Sequence, residues 1–207
     1  MGLYRDRIFP WAMDRFMRRE EFSCLRRRAL GAARGRVLEI GFGTGLNLPH
    51  YDPAKVERLI VVDDNAGMSR RAAERIDASP IAVESIARSA EALPLDDASV
   101  DTVVSSWTLC SIPDVAAALG EIRRALAPGG RFLFVEHGLA PEPKVQAWQH
   151  RLTPVQRVIG VGCHLDRKID ALIADAGFGF ERLDAFYMER APRFAGFTYL
   201  GAATVEE

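Results

Sequence analysis

Three glycines at alternate positions, Gly41, Gly43 and Gly45, follow an apolar run from Val37 to Ile40. Glycine lets a chain turn sharply and lets backbone approach a ligand with no side chain in the way. A second apolar run, Arg58 to Asp63, ends in an acid. The interval from Gly45 to Asp63 suits a carboxylate that takes a ribose hydroxyl pair. Glycine loop and acid together suggest a nucleotide-like ligand. The spacing is G-x-G-x-G, and Leu46 occupies the place of the third glycine of the dinucleotide fingerprint, so a pyrophosphate ligand is disfavoured. No Gly-Lys-Ser phosphate loop is present either.

These residues need strands and helices to hold them. Val37–Ile40 and Arg58–Asp63 read as buried strands, Ile81–Ser89 as a third, less clean one, and Thr102–Trp107 and Arg131–His137 as a fourth and fifth. Helices are expected over Ser69–Ala78 and Pro113–Ala127, the latter stopped by Pro128-Gly129-Gly130. Strand alternating with helix implies a parallel sheet with helices on both faces. The strand C-termini then gather the glycine loop, Asp63, Glu91, Ser106, Trp107 and His137 at one edge. Before this core, apolar residues at helical spacing predict two helices broken near Ser23. After it, Val145 to Ile159 predict two short helices interrupted by Pro154, and Asp166 is expected to cap a helix running to Ala176. Phe178–Glu189 and Phe194–Val205 read as an antiparallel pair at one sheet edge.

Bulk properties narrow the function. The 207 residues carry a net charge of -1, which gives no pull towards nucleic acid. Cys24, Cys110 and Cys163 lie far apart, with no CxxC pair and no zinc spacing, so free thiols and no metal site are expected. The absence of a long apolar run or a signal-peptide core predicts a cytoplasmic protein. Arginines crowd the first helices. The leading reading is a solvated face; the alternative is peripheral contact with an anionic membrane surface.

Glu39-Ile-Gly-Phe-Gly-Thr-Gly45, Val62-Asp63, Ala90-Glu-Ala-Leu-Pro94 and Leu126-Ala-Pro-Gly-Gly130 resemble class I S-adenosylmethionine-dependent methyltransferases. The resemblance implies an α/β Rossmann-like, mostly parallel sheet of about seven strands with an antiparallel last strand. It implies S-adenosylmethionine as cofactor, with S-adenosylhomocysteine as product. Carried over by position, Glu39, Gly41, Gly43 and Gly45 flank the methionine part; Asn47, by its own place at the start of the helical turn after the loop, can cap that turn or meet a ligand. Asp63 takes the ribose. Asn65 and Met68 border ribose and adenine, Ala90 and Glu91 meet the adenine edge, and Ser106 and Trp107 lie beside the sulfonium end. Ser89 stands where an acid often reads the adenine amino group. The chain 1–207 is expected to form one domain. It comprises a helical lid (1–35), a cofactor-binding core (36–137), a helical covering insertion (138–165) and a C-terminal helix with antiparallel strands (166–207).

Trp107-Thr-Leu-Cys-Ser-Ile112, Val135-Glu-His137, Trp148-Gln149 and Gly162-Cys163 further resemble the methyltransferase-like subgroup that includes aliphatic thiol methyltransferases. A small, fairly apolar acceptor is expected, with a thiol ahead of a phospholipid or a quinone or phenol. A non-catalytic S-adenosylmethionine-binding module is a further alternative. A thiol acceptor, with reference pKa about 8.5, needs only a modest base. His137 is the first candidate base and His164, in the covering loop, the second; Trp107 and Trp148 could wall an apolar pocket.

Overall fold

The computed structural model describes residues 2–206, and the expectation of one domain over 1–207 extends to Met1 and Glu207, which lie outside them. The chain runs through α1 (Phe9–Met17), α2 (Glu20–Leu30), β1 (Gly35–Ile40), β2 (Val56–Val62), α3 (Ala66–Asp77), β3 (Val83–Ile86), β4 (Val100–Ser106) and α4 (Val115–Ala125). It continues through β5 (Leu126–His137), α5 (Pro143–Ile159), α6 (Ile169–Asp175), β6 (Phe178–Tyr187), α7 (Arg193–Gly196) and β7 (Phe197–Val205). The seven strands form one sheet in the order β3-β2-β1-β4-β5-β7-β6. The pairs among β1 to β5 are parallel, and β7 is antiparallel to both of its neighbours. The expected mostly parallel sheet with an antiparallel last strand is present.

Alternation along the strands splits the core into two layers, because successive side chains leave opposite faces. Leu38, Ile40, Phe132 and Phe134 join Leu119 and Ile122 of α4 and Ile169 and Ile173 of α6. Val37, Leu59, Val61, Leu133 and Val135 join Leu25, Ala29 and Leu30 of α2 and Ala72 of α3. Runs such as Leu59 to Val62 are buried on both faces, which is why they read as continuously apolar.

Three local expectations are corrected. The N-terminal helices break at Arg18–Arg19, not near Ser23. Arg19 is extended (φ -60°, ψ 150°), and Glu20 and Glu21 open α2 with the charge that a helix N-terminus favours. The covering segment is one helix of 17 residues that runs through Pro154. Proline removes only one intrahelical donor, and Pro154 sits on the solvent side while Gln149 and Thr153 face inward. Asp166 does not cap α6, whose N-cap is Lys168 without a side-chain bond; Asp166 pairs instead with His150 Nδ1 at 2.9 Å.

The N-terminal helices are fastened to the core. Asp14 of α1 is buried; it accepts from Thr44 Oγ1 (2.7 Å) and meets Arg75 of α3 (2.9 Å) and Arg18. Burial alone would raise the Asp14 pKa, but the Thr44 hydroxyl and the two guanidinium groups hold it below the usual carboxylate range. Gly67 lets the helical turn Tyr4–Ile8 rest on the start of α3, since a Cβ there would lie 2.3 Å from the Asp6 carbonyl oxygen.

Candidate active site

A cavity of about 920 Å³ opens at the C-terminal edge of the sheet, between that edge, α1 and α2, and the loop after α5. This edge is where open α/β sheets bind ligands. Gly41, Gly43, Asn47, Asp63, Asn65 and Met68 line one end of it, with Glu39 and Ala90. Ser106 and Trp107 stand midway and His137 at the other end.

Each side chain at the first end has a definite support. Asp63 follows β2; its Oδ2 accepts from Gly43 N (2.7 Å) and its Oδ1 from Asn65 N (2.8 Å). The carboxylate therefore ties the glycine loop to the start of α3. Burial pushes the Asp63 pKa up, opposed by these two backbone bonds. Asn65 caps α3, its Oδ1 accepting from Gly67 N and Met68 N. Asn47 was expected at the start of a helical turn, where it could cap or meet a ligand. It makes no cap; its Nδ2 donates to Glu39 Oε1 (2.9 Å) and Ser106 Oγ (3.0 Å). Tyr51, which carried no sequence signal, donates to Glu39 Oε2 (2.6 Å). Burial raises the Glu39 pKa to about 8 against these two donors and the nearby Arg26 charge. Trp107 holds φ 51°, a left-handed conformation costly for a bulky residue. Its ring meets Phe22 of α2 edge-on (centroids 5.2 Å) and the Arg26 guanidinium (5.0 Å).

Three of the expected site residues do not line the cavity. Gly45 supports the loop from behind, at φ 79° against the Phe42 ring. Glu91 turns away: it accepts from Ser89 Oγ (2.9 Å) and Asp114 N (2.6 Å), holding the start of α4. His164 lies outside beside Asp166 (3.7 Å), and burial with Arg167 and Arg157 lowers its pKa. Trp148 is 57% exposed, while Gln149 next to it is buried and bonds Ala140 N, Gly138 O and Leu165 O.

All three cysteines are free thiols, as expected. Cys110 and Cys163, far apart in the sequence, meet beside His137, with Cys163 Sγ 3.2 Å from His137 Nε2. Burial opposes a charge on His137, and the contact with Cys163 outweighs it, so its pKa rises. The contact with Cys110 and burial push the Cys163 thiol well above its ordinary range. Behind this corner Glu136 is fully buried, accepting from Ser105 Oγ (2.7 Å) and Thr108 N (3.0 Å).

A methyltransferase-domain family model matches residues 38–134, which span the loop, Asp63 and β4 to β5. The chain is 30% identical over 199 residues to phosphatidylethanolamine N-methyltransferase of Cereibacter sphaeroides, covering 92% of each chain. It belongs to the class I S-adenosylmethionine-dependent methyltransferases. The methyltransferase is also 32% identical over 152 residues to rat thiol S-methyltransferase TMT1B, covering 72% of its own length and 62% of that protein's. In fold it is similar to an S-adenosylmethionine-dependent methyltransferase from Mesorhizobium loti, with a TM-score of 0.64 at 20% identity, covering 90% of this chain and 98% of that one.

S-adenosylmethionine is the cofactor of this enzyme, and the cavity has features that fit it. Asn47 Oδ1 is a buried acceptor with no partner, close to the Glu39 carboxyl that its own Nδ2 bonds. Such a pair suits the ammonium group of an amino acid. Gly43, at φ 60°, leaves open the space that a Cβ would fill: the nearest atom to a Cβ there would be 3.9 Å away. Among the described residues no helix is long and apolar enough to cross a membrane.

Proposed function

We propose that the enzyme methylates a small, fairly apolar thiol. One observation carries this reading: a single cavity joins the Asp63 end to the Cys110–His137–Cys163 corner, walled between by Phe9, Met13, Phe16, Phe22 and Trp107. Aromatic and thioether walls suit an apolar acceptor and exclude water from the transfer. The thiol S-methyltransferase likeness supports the same choice.

When bound, S-adenosylmethionine supplies an activated sulfonium methyl group. The chain's part is alignment and exclusion of water. Asp63 takes the ribose hydroxyls; Glu39, Asn47 and the backbone of Gly41 and Gly43 hold the amino-acid end. Asn65, Met68 and Ala90 flank the nucleoside, and Ser106 and Trp107 border the sulfonium. Gly45 and Glu91 act from outside by shaping the loop and the start of α4. His137 serves the acceptor end. Residues 1–35 form the lid and 138–165 the cover.

A labelled-methyl assay over aliphatic thiols, phenols, quinols and phosphatidylethanolamine vesicles tests the acceptor. Turnover of thiols at the highest kcat/KM is the expected result, and turnover confined to another class overturns it. The vesicle arm has its own motive. Tyr4 Oη donates to the Ile159 carbonyl, bringing exposed Leu3, Tyr4 and Ile8 beside exposed Val158 and Ile159. Donor binding without turnover of any acceptor would leave a binding module.

Glu39 yields a separate expectation. With its pKa near 8 in the free protein, an incoming ammonium group favours the ionised form. Donor binding at neutral pH should therefore release up to about one proton, and affinity should rise with pH from about 6 to 8. Calorimetry in two buffers of different ionisation enthalpy measures this. Identical heats in both would remove Glu39 from that role.

A further inference from the structure

We propose that Cys110, His137 and Cys163 form a zinc site that opens into the cavity. Each comes from a different element: the turn after β4, the end of β5 and the loop after α5. Their ligand atoms all lie within 4.8 Å of one another, and all three residues line the cavity. With Zn–S near 2.3 Å and Zn–N near 2.0 Å, a tetrahedral ion would hold its ligand atoms about 3.5 to 3.8 Å apart. The widest pair has to close by at most about 1 Å, and the Cys163 Sγ–His137 Nε2 pair, at 3.2 Å, to open by a few tenths of an ångström. Two thiolates balance a dication, so the loaded site carries no net charge where burial would penalise one.

The surrounding backbone is built for this convergence. His164 N donates to Cys110 O (2.8 Å), pinning the two loops side by side. Gly162, at φ 97°, brings its loop against Ser111; any Cβ there would lie 3.0 Å from the Ser111 carbonyl oxygen. Gln149, through its bond to Leu165 O, anchors the far side of the same loop.

Three protein ligands and an open fourth position are the pattern of catalytic rather than structural zinc. The fourth position faces the cavity, where a thiol would bind. The use of the ion rests on the thiol acceptor proposed above; the site itself does not. A thiol bound to zinc loses its proton to solvent and becomes a thiolate at neutral pH. Its sulfur forms a bond to the methyl carbon as the bond from that carbon to the donor sulfur breaks. The electron pair of the broken bond stays on the donor sulfur. The product thioether is neutral and binds the ion more weakly than the thiolate did, so it leaves. In this scheme His137 is a ligand, and no proton passes to it.

The test uses the reduced full chain, stripped with a chelator and titrated with Zn²⁺ against a chromophoric competitor, then with Co²⁺ alone. One equivalent of each metal should bind, and cobalt should show a thiolate charge-transfer band with the strong visible bands of a tetrahedral site. Cys110→Ser and Cys163→Ser should each weaken zinc binding by roughly 100-fold or more. Cys24→Ser, at an exposed position on α2, should change nothing. Absence of stoichiometric uptake, uptake indifferent to both serine variants, or a cobalt spectrum without thiolate bands overturns the site. Calorimetry with S-adenosylmethionine checks that the variants fold; where they do not, the cobalt spectrum of the unsubstituted chain decides alone. Metal uptake without turnover of any thiol leaves the site standing and removes the thiol acceptor. Thiol turnover by a stripped chain that takes up no metal does the reverse.

Discussion

Gly41→Ala is expected to destabilise the protein by about 3 kcal/mol and to abolish donor binding. Gly41 sits at φ 65°, where an L-residue pays about 1 kcal/mol or more. The added Cβ would also lie 2.1 Å from Thr108 Cγ2 and 2.7 Å from Thr108 Cβ. Thr108 cannot simply rotate aside, because its Cβ is itself within the clash. Urea denaturation measures the loss. Adding Thr108→Gly should restore about 1 to 2 kcal/mol of it, since the clash goes and the backbone cost stays. Gly43→Ala is the matched control: it pays the backbone cost but meets nothing within 3.9 Å. It should fold nearly as well and bind S-adenosylmethionine worse. Equal stability of Gly41→Ala and the unsubstituted chain would remove Thr108 as the reason for glycine at 41.

Asp63→Ala should raise the Kd for S-adenosylmethionine by about 100-fold or more. The carboxylate holds Gly43 N and Asn65 N while facing the cavity, so its loss removes a ligand contact and loosens both walls. Hydrogen bonds to a charged group contribute about 1.5 to 3 kcal/mol each, so loss of the carboxylate accounts for an effect of that size. Asp63→Asn keeps one acceptor and should fall between. Isothermal calorimetry reads both, and a Kd for the alanine variant within about threefold of the parent would contradict the ribose role.

What was legible beforehand follows from how local each signal is. The glycine loop and Asp63 belong to strand ends whose apolar runs name them, and the cavity has them where the strand pattern puts them. The strands were readable because Leu59 to Val62 and Phe132 to Val135 are buried on both faces. The break at Arg19 and the continuity of α5 depend on backbone geometry that apolar spacing reports poorly. Side-chain direction was harder still. Glu91 sits in the expected motif but bonds the Asp114 amide, and Trp148 points out while Gln149 points in. Cys110, His137 and Cys163 are about 26 residues apart in turn, so no short motif could join them; only the convergence of β4, β5 and the loop after α5 does so. Asp14 lies among the arginines of the first helices, which read as a solvated face, yet it is buried and ties α1 to Arg75 of α3.

The position of β7 has a consequence for how the molecule is made. It pairs Thr198 with His137 on one side and Phe197 with Tyr187 on the other, so it bridges β5 and β6. A nascent chain that has emerged as far as Tyr187 can build β1 to β5 from nearby segments, yet β6 then has no partner strand. The half-made protein must carry an unpaired edge until a later segment slots between two strands already synthesised. Charges along β6, at Glu181, Arg182 and Asp184, discourage that waiting edge from joining another chain. On this order β5 gains its second neighbour only with β7, so the His137 end of the cavity is expected to be completed after the Asp63 end.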